Sequence, residues 1–516
     1  MPISQIYSRA HENRHQLSHP ALAAVRKAFF KAAGRNFLLL QILFLALFAY
    51  IFGSIFEQGS RTHNLKVLFV DYDDGTVGAS IRNAYKSLKG DSFPSLVERS
   101  MSDFLTPDDL RREVCDTHYW AAIYTSLGAS GRLQDALMTG SSSYDKDNVL
   151  SYIWNEARYP AVIDSSISAN LLALSSAARI AYANENWTFV ENSTSATFSI
   201  FADPWHLTSV NIQPTAQGAR LIYNTIVIIL IVMQEFFYLG TINNLYEAFK
   251  VYSRLDPHRV VLVRFGISAA YTCIGSLCTA GAIWAFRAGW NVNGNQFVLS
   301  WLVFWLFAHV NFLTMDVFTV WLPPWGVPMA LISWVIFNIT SILLPFELSP
   351  KFYRWAYVMP AHEVYQVLVD IWSGGCNPQL SYALPVLFIL ELSSLLLSAL
   401  GVHRRSHYAI IKEEADEKAF QMRVDTAIKI QQQGVIERTK TQKADIAGGE
   451  ITVADENERK SVEKREEEEE EEREEISDVL RKEDSEIKKV QSRASQSISY
   501  GPAFGFLFGA GDGSSS

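Results

Sequence analysis

Long apolar segments alternate with polar blocks along this chain. Residues 37–56 read FLLLQILFLALFAYIFGSIF, and about twenty nearly uncharged residues suffice to cross some 30 Å of hydrocarbon as a helix. Five further apolar segments follow a long polar stretch, with predicted ranges 221–240, 261–286, 297–322, 327–344 and 382–402. The pattern predicts an α-helical multi-pass membrane protein with six spans.

Basic residues mark one side of the predicted spans. They are Arg26, Lys27, Lys31 and Arg35 before the first span, Lys250, Arg254 and Arg259 after the second, and Arg404 and Arg405 after the sixth. Because cytosolic loops are enriched in Lys and Arg, we expect both termini in the cytosol and an uncleaved first anchor. The expected location is the plasma membrane, with an internal membrane as the alternative.

The polar stretch at 57–220 is then extracytoplasmic and predicts an α+β domain. VLFVDYD at 67–73 is strand-like, and residues 76–88 carry apolar positions at helical spacing. Thr106, followed by a proline and two aspartates, predicts a second helix start. Strands are expected within 119–127 and 149–155, and an amphipathic helix over 164–184.

The two ends of the chain are polar, and the loop before the last span is aromatic. Residues 1–36 form a basic cytosolic tail, and residues 346–381 form an outer loop that contains FYRWAYVMPAHEVYQVLVDIW. Aromatic residues at this density favour an interfacial or re-entrant helix. The tail at 403–516 begins with a helix-compatible stretch and carries REEEEEEEREE at 465–475. Like charges repel, so we expect this tail to be largely disordered, either merely solvated or docking a protein partner.

Composition excludes some functions and suggests two modifications. The chain of 516 residues has a net charge of −9, which comes largely from the tail, and only four cysteines. This predicts no cofactor, no metal site and no nucleic-acid partner. Asn186-Trp-Thr and Asn192-Ser-Thr are candidate glycosylation acceptors in the outer domain. Cys115 and Cys376 both fall on the oxidising side and are candidates for a disulfide.

VLFVDYDDGT, at 67–76, invites comparison with phosphatases that use two aspartates at a strand end. That pattern needs Thr or Val four residues after the first Asp, but Gly75 stands four residues after Asp71. The predicted topology also places the segment outside the cytosol. We therefore interpret these residues as a turn and helix cap, and predict no catalytic residue.

The whole layout resembles an ABC-2-type permease with one anchor, a large outer domain and five closely spaced spans. VLFVDYDDGTVGASI and YWAAIYTSLGASGRLQDAL resemble the large-ectodomain branch of that group. LIYNTIVIILIVMQEFF and LPPWGVP resemble a fungal membrane-protein family named for nitrosoguanidine resistance. The resemblance covers about residues 37–408 and implies a role in drug or mutagen tolerance. The sequence lacks GxxxxGK[ST], the loop that cradles nucleotide phosphates, so ATP-driven transport would need a separate ATPase partner.

The expected function is export or redistribution of amphipathic drugs or lipids, in an ABC-2-like bundle that works as a homodimer. Its partners would be membrane lipids and amphipathic small molecules. The alternative is a non-transporting scaffold or stress regulator whose tail binds a cytosolic protein.

Ionisable residues inside the predicted spans are the main functional candidates, because burying them in hydrocarbon costs a few kcal/mol or more. The candidates are Glu235, His309, Asp316 and Glu391. His309 and Asp316 are seven residues apart and share a helix face. Either these groups pair with one another and hold the bundle together, or they form a path for a proton or polar substrate. Arg264, like Glu235, is expected near the cytosolic interface.

Overall fold

A computed structural model describes residues 19–141, 143–187, 194–215, 226–287, 290–323, 325–447, 480–481 and 483–487. Two compact units alternate along the chain. The first comprises Met1–Ile226, Arg287–Val292 and Ile332–Ser381, and the second comprises Val227–Phe286, Asn293–Leu331 and Tyr382–Ser516.

Helices dominate the described residues. In chain order they are α1 Ala23–Ser54, α2 Thr76–Leu88, α3 Pro107–Cys115, α4 Ala129–Thr139, α5 Ala169–Glu185, α6 Ser195–Ala202, α7 Val227–Ala248, α8 Pro257–Ala285, α9 Gly294–Trp321, α10 Val327–Ser341, α11 Pro360–Trp372 and α12 Leu380–Ala447. Shorter helical turns occupy Pro20–Leu22, Gln58–Asn64, Pro160–Ile163, Asp164–Ser168, Val251–Arg254 and Lys351–Val358.

Five strands of the first unit form one mixed sheet. They are β1 Lys66–Asp71, β2 Ser95–Arg99, β3 Ala121–Thr125, β4 Leu150–Trp154 and β5 Leu207–Asn211, in the spatial order β2-β1-β3-β4-β5. β1 pairs in parallel with both β2 and β3, and β4 pairs in parallel with β5. The β3–β4 pair is antiparallel, with Ile123 opposite Tyr152. We call this part of the first unit the sheet domain.

The sheet domain is stabilised by apolar residues on both faces of β1. Leu68 and Val70 pack with Leu110 and Val114 of α3, while Val67 and Phe69, which alternate with them, are also fully buried. A strand buried on both faces needs helices on both faces of its sheet. Continuous burial along β1 therefore explains why its sequence is an apolar run.

Local sequence signals located most elements of the sheet domain. The helix predicted at 76–88 is α2, and α3 begins at the predicted place, where Thr106 forms a capping box with Asp109. The strands predicted within 119–127 and 149–155 are β3 and β4. The predictions omitted β2 and β5, whose patterns are short and half-polar. The parallel arrangement of β1, β2 and β3 gives the domain a partly α/β character that the α+β prediction did not include.

Among the described residues, six helices are long and apolar enough to cross a membrane, which indicates a multi-pass membrane protein. They are Ala23–Ser54, Pro160–Glu185, Val227–Ala248, Pro257–Ala285, Gly294–Trp321 and Leu380–Gln432. The number of candidate spans equals the number predicted from the sequence, but one of the segments differs. The segment predicted as a span at 327–344 forms α10, whose 15 residues extend about 22 Å and fall short of the hydrocarbon thickness.

Pro160–Glu185 was instead predicted as part of the α+β domain, and its contacts agree with that assignment. Leu171, Leu174 and Ala178 of α5 are buried. Arg179, on the same helix, forms an ion pair with Asp203 at 2.8 Å. A charged residue bound within the sheet domain is a feature of a domain helix, so we assign this segment to the sheet domain.

The aromatic loop, residues 346–381, packs within the first unit. Cys376 forms a disulfide with Cys115 at the end of α3. Asn155, after β4, donates a hydrogen bond from Nδ2 to the Cys376 carbonyl at 3.1 Å, and Tyr365 of α11 contacts the backbone at Tyr159. Near α1, the Tyr353 hydroxyl donates to the Tyr50 carbonyl at 2.8 Å.

The second unit is a helical bundle of α7, α8, α9 and α12. The α8–α9 contact is reinforced by indole groups: Trp301 Nε1 donates to the Cys273 carbonyl at 3.0 Å, and Trp305 Nε1 donates to the Ala269 carbonyl at 3.1 Å. α12 contains the sixth predicted span and continues as one helix to Ala447. The start of the second predicted span, at 221–225, and the acidic run at 465–475 lie outside the described residues.

Candidate functional site

Polar side chains are buried at several levels of the helical bundle. Those with less than one-tenth of their surface exposed include Glu235, Asn243, Arg264, Ser268, Asn311, Asp316, Thr319, Ser398 and Arg405. Polar groups inside a membrane bundle are expensive to bury and are expected to bind one another or to serve a function. Their contacts form two polar layers that connect α8, α9 and α12.

The first polar layer is centred on Asp316 of α9. Its Oδ1 accepts hydrogen bonds from Arg264 Nη2 of α8 at 2.7 Å and from Arg405 Nη1 of α12 at 2.9 Å. Its Oδ2 accepts from the Ser398 hydroxyl at 2.5 Å. The carboxylate is fully buried, as is the Arg264 side chain. Two guanidinium groups therefore converge on one carboxylate oxygen.

Neighbouring acceptors hold the two arginines in place. Tyr252 Oη accepts from Arg264 Nη1 at 3.3 Å and from Arg405 Nη1 at 3.4 Å. Asn243 Oδ1 accepts from Arg264 Nη2 at 2.9 Å, and Thr319 Oγ1 accepts from Arg405 Nη2 at 2.6 Å. The guanidinium of Arg264 also lies 5.3 Å from the centre of the Tyr246 ring, within the range of a cation–π contact.

The second polar layer lies two helical turns away on α9. His309 Nδ1 is 2.5 Å from Glu391 Oε1 of α12, and His309 Nε2 is 3.2 Å from the Ser268 hydroxyl of α8. Seven residues separate His309 from Asp316, which corresponds to about 10 Å along the helix. His309 and Asp316 thus share a face as predicted, but each binds partners on α8 and α12.

Glu235 of α7 is the exception in this bundle. Its side chain is completely buried, and neither carboxyl oxygen has a hydrogen-bond partner among the described residues. One turn further along α7, the Tyr238 ring stacks on Tyr271 of α8 at 3.6 Å between centroids. Gly275 of α8 leaves room for Gln234 on this side, since a Cβ at position 275 would lie 1.9 Å from Gln234 Nε2 and the Gln234 side chain would have to shift.

Two sequence expectations about arginine need correction or extension. Arg264 was expected near the cytosolic interface with no stated partner; its side chain is fully buried and is bonded to Asp316. Arg405 was interpreted only as a topology marker, although it belongs to the same layer. One available signal was its spacing from Ser398: a separation of seven residues places both on one face of α12.

The other predicted site residues lie in the first unit. Cys115 and Cys376 are joined by a disulfide across 261 residues of sequence. Asn186 follows α5 and donates from Nδ2 to the Tyr182 carbonyl at 2.9 Å. Asn192 falls outside the described residues.

The aspartates of VLFVDYDDGT bind protein groups. Asp71 Oδ2 pairs with Arg82 at 2.8 Å, and its Oδ1 accepts from the Thr125 hydroxyl at 2.5 Å. Asp73 accepts from the backbone N–H of Ser130 at 3.0 Å and caps the start of α4. Ser130 Oγ in turn accepts from Val77 N–H at 3.0 Å, at the start of α2. Asp73 therefore caps α4. The sequence had suggested that the turn residues would cap α2, the next helix along the chain.

Two further buried titratable residues lie at the start of α11. His362 Nδ1 lies 3.2 Å from the Ser341 carbonyl oxygen, and burial lowers the pKa of His362 to about 4. Burial raises the pKa of Glu363 to about 8, and its oxygens have no hydrogen-bond partner within the described part of the chain. Both groups are therefore expected to be largely uncharged at neutral pH.

Comparison with protein families places most of this architecture in one group. The model of a family described as "Protein of unknown function (DUF3533)" matches residues 36–396. The chain belongs to this family. The match begins within α1 and continues through the sheet domain and the aromatic loop to the start of α12. It includes every site residue predicted from the sequence. No solved structure matches the chain.

The description of the DUF3533 family carries no activity. The resemblance to nitrosoguanidine-resistance proteins and to ABC-2 permeases therefore stays a prediction.

Proposed function

We propose that this DUF3533 protein is a membrane transporter that exports or redistributes amphipathic drugs or lipids and thereby confers tolerance to toxic chemicals. The observation that carries the proposal is Glu235, a completely buried carboxyl group inside the bundle whose oxygens have no partner among the described residues. A group of this kind contributes little to packing, because burying it without a hydrogen bond costs about 1–3 kcal/mol or more.

The surroundings of Glu235 suit transient binding of a proton or of a cationic amphipathic compound. Tyr238 and Tyr271 provide stacked aromatic surface one turn away, and aromatic faces attract organic cations. His309 and Glu391, which bind each other, provide a second protonatable pair in the same bundle. The energetic cost of burying Glu235 without a partner among the described residues favours transport over a purely structural role.

The proposed orientation places both termini in the cytosol and the sheet domain outside, with the plasma membrane as the location and an internal membrane as the alternative. Two observations support it. The Cys115–Cys376 disulfide belongs to the first unit, and disulfides persist mainly in oxidising compartments. The Asn186 sequon lies in the same unit, and glycosylation acts on extracytoplasmic surfaces.

The energy source would be an ion gradient or a separate ATPase, since the sequence contains no phosphate-binding loop of the Walker type. The proposed assembly is a homodimer of ABC-2-like bundles, and the chain itself would not be an enzyme.

The test is flux through purified full-length protein reconstituted in lipid vesicles, with a labelled cationic dye and a labelled phospholipid, with and without a pH gradient. Glu235→Gln keeps the shape but abolishes ionisation, and it is expected to lower dye or lipid flux about tenfold or more. Glu413→Gln is the matched control, because Glu413 is exposed and binds Lys250 at 3.4 Å. Equal flux in Glu235→Gln and wild type would contradict the proposed path.

The alternative is a scaffold or stress regulator whose tail recruits a cytosolic protein. One observation favours it: α12 continues as a helix to Ala447, about 65 Å beyond residue 403 at 1.5 Å per residue. Deleting residues 412–516 distinguishes the two. If the protein is a transporter, the truncated variant is expected to retain most of its flux. If the protein is a scaffold, neither form is expected to show flux, and the truncated variant is expected to lose chemical tolerance in cells.

A further inference from the structure

The polar layer around Asp316 has an imbalance of charge. Two guanidinium groups, Arg264 and Arg405, face one carboxylate, and all three side chains have at most 2% exposure. One net positive charge is therefore buried in the bundle. An uncompensated buried charge costs several kcal/mol, so such sites normally acquire a counter-ion.

Nearby acidic residues do not supply the missing charge. Asp256 caps α8 by accepting from the backbone N–H groups of His258 and Arg259, and Glu413 binds Lys250. Arg404, next to Arg405, adds a further cation and donates to the Val320 carbonyl at 2.7 Å. Glu235 lies eight residues before Asn243 on α7, about 12 Å along the helix.

Hydrogen bonding shows the same deficit of acceptors. Within the described part of the chain, Arg264 Nε, Arg405 Nε and Asn243 Nδ2 are all buried N–H donors without an acceptor. The two arginines meet at a single oxygen of Asp316, and Asn243 is bonded to Arg264. The three unsatisfied donors thus belong to one cluster, and a negatively charged ligand rich in acceptor oxygens would both satisfy them and balance the charge.

The level of the cluster indicates which anion is available. Arg264 lies seven residues after the start of α8, about 10 Å along the helix, and Arg405 follows the last apolar residue of the sixth predicted span by three positions. The cluster is thus near one edge of the apolar segments, where lipid phosphates are found. Basic pockets between membrane helices are known sites for anionic headgroups, and guanidinium groups bind phosphate through paired N–H donors.

We propose that Arg264, Arg405 and Asn243 form a binding site for a phosphate group carrying a single negative charge, supplied by a phospholipid headgroup or by free inorganic phosphate. One such group would neutralise the cluster and provide acceptors for the unsatisfied donors. The site is separate from Glu235 and does not depend on whether the protein transports.

The experiment uses delipidated full-length protein in a nonionic detergent, with thermal unfolding followed by tryptophan fluorescence. The added probes are dioctanoyl phosphatidylglycerol, dioctanoylglycerol as the same chains without phosphate, and inorganic phosphate at matched ionic strength. Stabilisation by phosphatidylglycerol but not by dioctanoylglycerol supports the site. A response to inorganic phosphate as well identifies free phosphate as a source, and its absence assigns the site to lipid.

Three variants make the result specific. Asn243→Asp keeps an acceptor oxygen for Arg264 and adds the missing negative charge, so it is expected to unfold at or above the wild-type temperature without ligand. Both Asn243→Asp and Arg405→Gln are expected to bind phosphatidylglycerol with an apparent affinity at least about tenfold lower than that of wild type. Arg404→Gln removes an adjacent charge outside the cluster and is expected to bind like wild type.

Equal stabilisation by phosphatidylglycerol and dioctanoylglycerol would overturn the proposal, as would no stabilisation by any probe. The same holds if Asn243→Asp is folded and binds phosphatidylglycerol as tightly as wild type. Because Asn243→Asp retains both arginines, its result does not depend on whether Arg405→Gln folds.

Discussion

Tyr365 provides a sharp test of how the aromatic loop is held to the sheet domain. Its buried hydroxyl accepts a hydrogen bond from Tyr159 N–H at 2.7 Å and donates one to the Ala157 carbonyl at 3.2 Å. Burial raises the pKa of Tyr365 well above its usual range, so the hydroxyl keeps its proton. The two rings also contact each other, with centroids 4.9 Å apart.

The backbone at Tyr159 makes this contact important. Its φ of 55° lies in the left-handed region, which costs a residue other than glycine roughly 1–2 kcal/mol. Tyr365→Phe keeps the ring but leaves Tyr159 N–H buried without an acceptor. The expected cost is about 1–3 kcal/mol, the desolvation penalty of one unsatisfied backbone donor.

Hydrogen exchange at the Tyr159 amide measures this cost locally, without assuming that the whole membrane protein unfolds in one step. A loss of 1–3 kcal/mol in the opening free energy corresponds to about 5- to 150-fold faster exchange. Mass spectrometry of a peptide spanning residues 157–163 in detergent-solubilised protein would report it.

Tyr72→Phe is the matched control. The Tyr72 hydroxyl is also buried, but it has no hydrogen-bond partner among the described residues, so its removal is expected to leave exchange at the Tyr159 amide unchanged and not to lower the unfolding temperature. If Tyr365→Phe exchanged at Tyr159 no faster than Tyr72→Phe, the hydroxyl bridge would not stabilise the loop and the reasoning would be refuted.

Two further predictions concern the first unit. His206 lies 2.8 Å from Asp147 and 3.0 Å from Asp203, and the hydrogen bonds to Asp147 and then to Asp203 raise its pKa. Its stabilising contribution is therefore complete below about pH 6.5, the ordinary value, and is lost as the pH rises through the higher folded-state pKa. Thermal melts from pH 5 to 9 should show this decline in wild type and a flatter profile in His206→Gln; parallel profiles would contradict it. For the orientation, intact cells should yield a Cys115–Cys376 disulfide, seen as a shift on reducing gels, and Asn186→Gln should remove any glycan at that site. Labelling of both cysteines in unreduced protein would argue against an extracytoplasmic sheet domain.

Local signals explain which parts of this fold were predictable. Thr106, Pro107 and Asp109 predict the start of α3 because a helix cap needs only neighbouring residues. Apolar segments long enough to cross a membrane are likewise visible in the sequence, since hydrocarbon thickness sets their length. The sequence pattern alone did not show that the apolar segment predicted as a span at 327–344 contains a helix of only 15 residues. It also missed β2 and β5, because short half-polar strands have no strong period.

The sequence by itself determined which ionisable residues enter the apolar segments, since Glu235, His309, Asp316 and Glu391 are evident from hydropathy alone. Only the tertiary structure decided their partners. Asp316 meets Arg264 from 52 residues away and Arg405 from 89 residues away, and such contacts depend on how helices pack rather than on spacing along one helix. For the same reason, only the tertiary structure shows that Glu235 has no partner among the described residues, whereas His309, Asp316 and Glu391 bind other side chains.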